Sequence, residues 1–384
     1  MNQHSKKDAE RGLRRAVCVV IGSLLLTPTA WGEQRFPPPD FEGGYQLPAT
    51  STPPARAEWF QYLDGAVLLG ALGLALWLVY RRRSRRGVAA LSLFSLAYFG
   101  LYRKGCVCAI GSVQNVALAL ADPHYALPFS VLLFFLAPLL AALFAGRAFC
   151  AAVCPQGALQ DWMLLKPVKV PGWLEAALGL IPPLFLGAGV ISAATGGGFW
   201  ICRYDPLVPF FRFSGSAWML GLGVAFLLVG IFVGRPYCRF LCPYGALLRY
   251  ASAAAQWKVK VTPAACTRCA LCRETCPFGA LREPREKPKS HTQARRRLAM
   301  MLCLVPVWTG LGAWAGSRLG APAGWFGGWA GLVIGGKLAA LAMGRPQTDF
   351  EPEPGACFAC ARCFEACPEE RLRRGWKPEE EPKA

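Results

Sequence analysis

Residues 127–162 read LPFSVLLFFLAPLLAALFAGRAFCAAVCPQGALQDW, an apolar run that ends in Gly-Arg and then a Cys-x3-Cys-Pro frame. The plan returns at 217–250, where AWMLGLGVAFLLVGIFV leads into GRPYCRFLCPYGALLRY, so the chain carries an internal repeat. Crossing a hydrocarbon core takes about 20 mostly apolar residues in a helix. Eight runs approach that length, at 15–31, 62–80, 88–101, 127–144, 173–194, 217–233, 298–314 and 325–343. Composition agrees, with 54% hydrophobic and 17% charged residues in 384 and a mean hydropathy of +0.32, too apolar for an ordinary water-soluble domain. The expectation is an all-α polytopic membrane protein with seven or eight transmembrane helices, built around the lipid bilayer.

Short cytoplasmic loops collect Lys and Arg. Lys6, Lys7, Arg11, Arg14 and Arg15 precede the first run, and RRRSRR at 81–86 follows the second, which puts both of those ends in the cytoplasm. Alternation then places both Cys-x3-Cys-Pro frames, the 258–297 loop and the C-terminal tail inside, and Cys106, Cys108 and Cys202 on the outer face. Residues 1–31 read equally as a first span or a cleavable signal peptide, having a basic start, an apolar core and small residues at 27–30. The Pro-rich stretch 32–60 reads as an extended periplasmic linker. Residues 61–250 form the transmembrane core with the repeats, and 298–343 a further helix pair. The net charge of +19 is assigned to orientation rather than to nucleic acid, since no nucleic-acid motif accompanies it.

Cysteine usage carries the chemistry. CTRCALCRETCP places Cys266, Cys269, Cys272 and Cys276 at the bacterial 4Fe-4S ferredoxin spacing, with Pro277 closing it, in a segment 258–290. CFACARCFEACP repeats it with Cys357, Cys360, Cys363, Cys367 and Pro368, in a segment 350–384 that ends in a charged tail. Together they predict a cytoplasmic, bacterial-type two-cluster ferredoxin-like α+β module. In such a module the fourth cysteine ligates the other cluster. Cys276 would then complete the set Cys357, Cys360 and Cys363, and Cys367 the set Cys266, Cys269 and Cys272; self-contained clusters are the alternative. Zinc is disfavoured because structural zinc sites pair separated knuckles rather than repeating four cysteines with a closing proline.

In each Cys-x3-Cys-Pro frame the two thiols are four residues apart and would share one face of a helix. Cys150, Cys154, Cys238 and Cys242 either hold a third iron–sulfur cluster between facing helix ends or are buried thiols of a packing motif. Arg147 and Arg235 either offset cluster charge or anchor the helix ends as positive-inside residues. A contracted third copy, KGCVCAIGSVQN, carries Cys106 and Cys108, with Ala109 where the frames have proline. With Cys202 these form an outer-face group, either a disulfide or a redox site. Cys18 and Cys303, alone in apolar runs, read as inert small hydrophobes. Asp64 and Asp205 are expected as solvated residues at the outer edge.

Only three histidines occur, none paired inside a span, so an intramembrane haem is not expected. No CxxCH, GxGxxG or Walker frame is present, which removes attached haem, a Rossmann site and ATP hydrolysis. The spans are nearly free of carboxylates, which argues against an ion-pump relay.

The two Cys-x3-Cys-Pro repeats, KGCVCAIGSVQN and the two ferredoxin runs together resemble the NosR/NapH-type membrane polyferredoxins, over about 62–368. That resemblance implies a bacterial inner-membrane, multi-pass electron carrier rather than a stand-alone enzyme. Its donor would be a quinol or a cytoplasmic carrier. Its acceptor would be a periplasmic reductase, with FMN carried by a periplasmic FMN-binding partner. Ala109 departs from the family pattern and weakens the outer-face site. Two other readings are a maturation factor for a metalloenzyme and an iron–sulfur redox sensor.

Overall fold

A computed structural model describes residues 59–105, 109–213, 215–261, 266–281, 291–342, 350–353 and 355–375. The signal or first span, most of the Pro-rich linker, Cys18, Cys106, Cys108 and the end of the charged tail lie outside the described residues.

The described chain is helical. Helix α1 (Trp59–Trp77) runs on as a π-helical segment, Leu78–Arg82, which ends at Arg83 in the left-handed region (φ 49°). Ser84 then caps α2 (Arg85–Ser95) by accepting the Gly87 N–H at 3.2 Å, so Arg83 and Ser84 of the RRRSRR run make the turn between two helices. A second π-helical segment, Leu96–Tyr102, extends α2. Next come α3 (Ala109–Ala121) and α4 (Phe129–Ala145). The first repeat frame follows as α5 (Ala148–Ala152) and α6 (Pro155–Trp162). Helices α7 (Gly172–Leu178) and α8 (Ile181–Ala194) return along the bundle. Two short turns, α9 (Trp200–Arg203) and α10 (Val208–Arg212), precede α11 (Ala217–Gly230) and the second frame, α12 (Pro236–Phe240) and α13 (Pro243–Ala253).

Among the described residues two helical stretches, Trp59–Arg82 and Gly172–Ala194, are long and apolar enough to cross a membrane. Four more apolar helices, Ala109–Ala121, Phe129–Ala145, Ala217–Gly230 and Leu302–Ser317, are shorter. Helix α3 falls in a stretch read from sequence as an outer connection; the run is too short for a span but apolar enough to pack on α4 and α8.

Helices α15 (His291–Ser317) and α16 (Ala321–Ala342) form a tight pair. A Cβ on Gly312, Gly316 or Gly331 would come within 2.1 Å of a backbone carbonyl across the pair, so only glycine lets the backbones approach this closely. Trp329 ties the pair to the bundle by donating its indole N–H to Pro183 O at 2.7 Å.

The two ferredoxin runs contain α14 (Leu271–Thr275), α17 (Arg362–Ala366) and α18 (Pro368–Arg373). The expected α+β module is corrected here: among the described residues there is no strand, and one isolated antiparallel bridge, Leu281 with Pro352, joins the runs. Arg268 and Ala270 in one run, and Ala359 and Ala361 in the other, have positive φ, which curls the backbone of the cysteine loops.

The expected solvation of Asp64 and Asp205 is also overturned, since they are 2% and 3% exposed. Asp64 pairs with Arg103 and accepts the Tyr98 hydroxyl at 3.0 Å. Residues 200–212 fold back against the repeat frames, and Asp205 there accepts from Gln156 Nε2 at 2.9 Å, the Tyr237 hydroxyl at 3.0 Å and the Leu207 N–H at 3.0 Å. Both carboxylates therefore fulfil their hydrogen-bonding capacity inside the bundle. Cys303 is exposed on α15.

Candidate metal centres

The repeat frames are not continuous helices. Proline disfavours helical geometry at the residue before it, and Cys154 and Cys242 accordingly have ψ of 119° and 115°. Each frame is a short helix, a break at the second cysteine, and a new helix with proline at its first position. The expectation of two thiols on one helical face is corrected to two thiols flanking a break. The glycine of the C-P-x-G motif closes the break: a Cβ on Gly157 would lie 2.5 Å from Cys150 O, and one on Gly245 would lie 2.9 Å from Cys238 O. The Gly245 N–H donates to Cys242 Sγ at 3.2 Å, and Gln160 Nε2 donates to Cys238 Sγ at 3.3 Å.

These breaks bring the frames together. One cavity is lined by Cys150, Cys154, Cys238 and Cys242, with Phe149, Tyr244 and Gln156 beside them. We call it cage C. Phe99, Phe134 and Phe211 also line it.

The ferredoxin runs build two more. Cage A is lined by Cys266, Cys269 and Cys272 of the first run and Cys367 of the second. Cage B is lined by Cys276 of the first run and Cys357, Cys360 and Cys363 of the second. The fourth cysteine of each run thus lies with the first three of the other. In cage A Cys266 and Cys269 are exposed, Cys367 half-buried and Cys272 buried; the cage B thiols are half-buried; in cage C Cys154 is half-buried and Cys150, Cys238 and Cys242 are buried.

Burial pushes the Cys357 thiol up to about 12, and burial together with the neighbouring Cys357, Cys360, Cys276 and Cys272 raises Cys363 well above the ordinary thiol range. Thiols packed this way become thiolates only with a positive group among them, as metal ligation provides. Each cage presents four thiols, the donor set of a 4Fe-4S group.

The cages are locked to one another by charge. Asp161, in α6, is buried and meets Arg85, Arg362 at 3.2 Å and Arg235 at 3.3 Å. Burial alone would raise its carboxyl, but Arg235, Arg85 and Arg362 more than offset that and hold it well below the usual carboxylate range. The partners come from the α1–α2 turn, the second frame and the second ferredoxin run, so one carboxylate joins three segments distant in sequence. Glu370, fully buried, ties in one distant segment through Arg83 at 2.8 Å and pairs locally with Arg373 at 3.1 Å and Arg374 at 2.6 Å. The sequence offers a signal for only one of these carboxylates: Glu370 stands among arginines in PEERLRR, whereas Asp161 has none beside it. Arg83 and Arg85, read as orientation residues, are also docking residues.

Cys202 is exposed, and its Sγ would lie 3.0 Å from a Cβ on Gly111 at the start of α3. The outer-face grouping with Cys106 and Cys108 falls outside the described residues.

The site thus defines a class of protein, a thiolate-rich iron–sulfur carrier. A 4Fe-4S binding domain family matches residues 127–173 and 215–262, the two segments that contain the cage C cysteines. Among curated relatives, the "Putative electron transport protein YccM" of Escherichia coli is 27% identical over 38% of this chain and 46% of its own length. The "Regulatory protein NosR" of Pseudomonas aeruginosa is 29% identical over 52% of this chain and 30% of its own length. "Protein NirI" of Paracoccus denitrificans is 29% identical over 61% and 38% respectively. The chain spans less than half the length of each of these relatives. No solved structure matches it. These relatives and the 4Fe-4S domain bear out the resemblance to NosR/NapH-type polyferredoxins and support an iron–sulfur, electron-transfer role.

Proposed function

We propose that this chain is an integral-membrane electron relay with three 4Fe-4S stations, held by cages A, B and C. The observation that carries the reading is the gathering of twelve cysteines into three cavities of four, two of them shared between ferredoxin runs. An iron–sulfur group supplies one-electron carriage at each, with a potential set by its charge, hydrogen bonds and solvent exposure. The residues provide the rest: exposed Cys266 and Cys269 give cage A a face for a soluble carrier, while cage C is lined in part by apolar side chains.

The chain is read as multi-pass in a bacterial inner membrane, with cages A and B cytoplasmic. Large apolar side chains left exposed along the helices, among them Leu69, Trp77, Phe94, Leu140 and Leu228, support a lipid-facing surface. The donor would be a cytoplasmic carrier or a quinol, and the acceptor a periplasmic reductase whose FMN sits on a partner. The name of the NosR relative favours a second reading, in which the same stations report redox state to a regulatory partner.

The test is iron and acid-labile sulfide per chain, with low-temperature EPR, on anaerobically purified protein and on a variant lacking Cys150, Cys154, Cys238 and Cys242. Three stations require about 12 iron falling to about 8 in the variant. About 8 iron in both would remove cage C from the relay.

A further inference from the structure

Both repeat frames place an arginine three residues before their first cysteine, in GRAFC and GRPYC. In the fold the two side chains meet at one ring. The Arg147 guanidinium lies 3.8 Å from the centroid of Phe358 and donates Nη2 to Ala356 O at 3.0 Å. The Arg235 guanidinium lies 5.3 Å from the same ring and 5.7 Å from Phe278, and donates to the carbonyls of Cys150 and, at 3.2 Å, Ala151. Phe358 follows Cys357 directly, and it and Phe278 line cage B with ring centroids 4.7 Å apart. Cys150, whose carbonyl Arg235 holds, lines cage C.

Two cations therefore occupy the layer between cages B and C, and they are 3% and 0% exposed. Arg235 is balanced by Asp161. Among the described residues no carboxylate pairs with Arg147. An isolated buried guanidinium is costly unless opposite charge stands near it. Cys150 and Cys238 of cage C and Cys357 of cage B favour the Arg147 charge and Arg249 opposes it, so thiolates formed when either cage is loaded would be its counter-charge.

We propose that Arg147 and Arg235, stacked on Phe358, form the joint between cages B and C and set the reduction potentials of the centres on either side. The inference rests on the three-station reading above. The step is a one-electron exchange: the centre of one cage is oxidised by one electron, that of the other is reduced by one, and no bond or proton moves. Adding an electron adds negative charge, which two nearby cations in a dry layer favour. Arg147 and Arg235 are positioning residues and not ligands.

The test is an EPR-monitored redox titration of R147Q, R147K, R235Q and R235K. In the glutamine variants the cage B and cage C potentials should fall by at least tenfold in the one-electron equilibrium constant, about 59 mV. Cage A should stay at its wild-type value. The lysine variants, which keep the charge and lose the planar stack, should recover most of the shift. Unchanged potentials in fully loaded glutamine variants would overturn the proposal, as would lysine variants shifted as far as glutamine ones. R235Q also loses the Asp161 contact; if it fails to load, the Arg147 pair decides, and iron loss from R147Q as well would mark the arginines as purely structural and end the proposal. A wild-type protein with fewer than three centres would instead defeat the three-station reading.

Discussion

The sharing of cysteines between the ferredoxin runs makes a non-additive prediction. Cys269 and Cys367 lie in different runs, yet both line cage A, whereas Cys276 lies with the second run's thiols in cage B. Replacing Cys269 or Cys367 by Ala should each remove one centre, taking iron from about 12 to about 8 per chain, and the double variant should remain near 8. Self-contained runs predict the opposite, with the double variant falling to about 4 because each substitution would strike a different centre. The mirror pair is Cys269 with Cys276, which share a run: shared ligation requires about 4 iron for that double variant, and self-contained runs about 8. Cys269 is exposed and Cys367 is half-buried, so neither alanine opens a deep cavity. Iron and sulfide analysis gives the counts, and EPR must show the same signal missing in the Cys269 and Cys367 single variants. About 4 iron in the Cys269–Cys367 double variant refutes the shared arrangement.

Three further outcomes follow from the packing. Gly157→Ala or Gly245→Ala forces a Cβ to within 2.5 or 2.9 Å of a cage C carbonyl, an overpacking that costs about 1–3 kcal/mol; EPR should show the cage C signal lost and the two ferredoxin signals kept. Asp161→Asn leaves three arginines without their carboxylate. Breaking a fully buried pair costs about 3–5 kcal/mol, and the cost here is smaller because Arg85 and Arg362 keep 17% and 21% exposure. Limited trypsin digestion should cut 355–375 faster in that variant. The Asp161 contribution should also be insensitive to mild acid. Its folded pKa lies below the unfolded value of about 3.9, so its stabilisation is complete above that value and is lost only as pH falls through the depressed folded one. The difference in melting temperature between wild type and Asp161→Asn should therefore hold constant from pH 8 to pH 5, and a difference that shrinks across that range would contradict the hub.

What was legible in the sequence was whatever rests on spacing. The 2, 2, 3 spacing with a closing proline marks the three thiols that one tight loop turns inward, and leaves open which run's fourth cysteine joins them. The Cys-x3-Cys-Pro repeat forecasts the pairing of two frames, since each ends an apolar helix at the same side. The path of the chain between cysteines was less legible. A period-based reading makes each frame one helix, whereas the proline and the backbone preference of the residue before it break the frame in two, and that break is what aims Cys154 and Cys242. Asp64 and Asp205 are edge residues only if the spans are straight rods. The turn of 200–212 back toward the frames, which buries Asp205 under Gln156 and Tyr237, leaves no periodic trace in the sequence.

The basic residues show why charge counts alone mislead in such a protein. RRRSRR satisfies the rule that cytoplasmic loops collect arginine, and that rule would be met by any placement of the side chains. The fold uses them more specifically: Arg83 reaches Glu370, Arg85 reaches Asp161, and both carboxylates belong to segments that line or flank the cages. Iron–sulfur centres in the cages would concentrate negative charge, and Arg147 and Arg235 stand beside cage B, Arg235 also holding the Cys150 carbonyl of cage C. On that argument the two carboxylates do not neutralise the basic surface but fix the geometry of arginines whose charge is directed at the cages. Removing a carboxylate should then loosen the docking while raising the potential of the nearest centre, the reverse of the shift expected for Arg235→Gln. Asp161→Asn is the variant that separates these effects: an upward shift in the cage B or cage C potential, measured in the same EPR titration, supports the assignment, and a downward one refutes it.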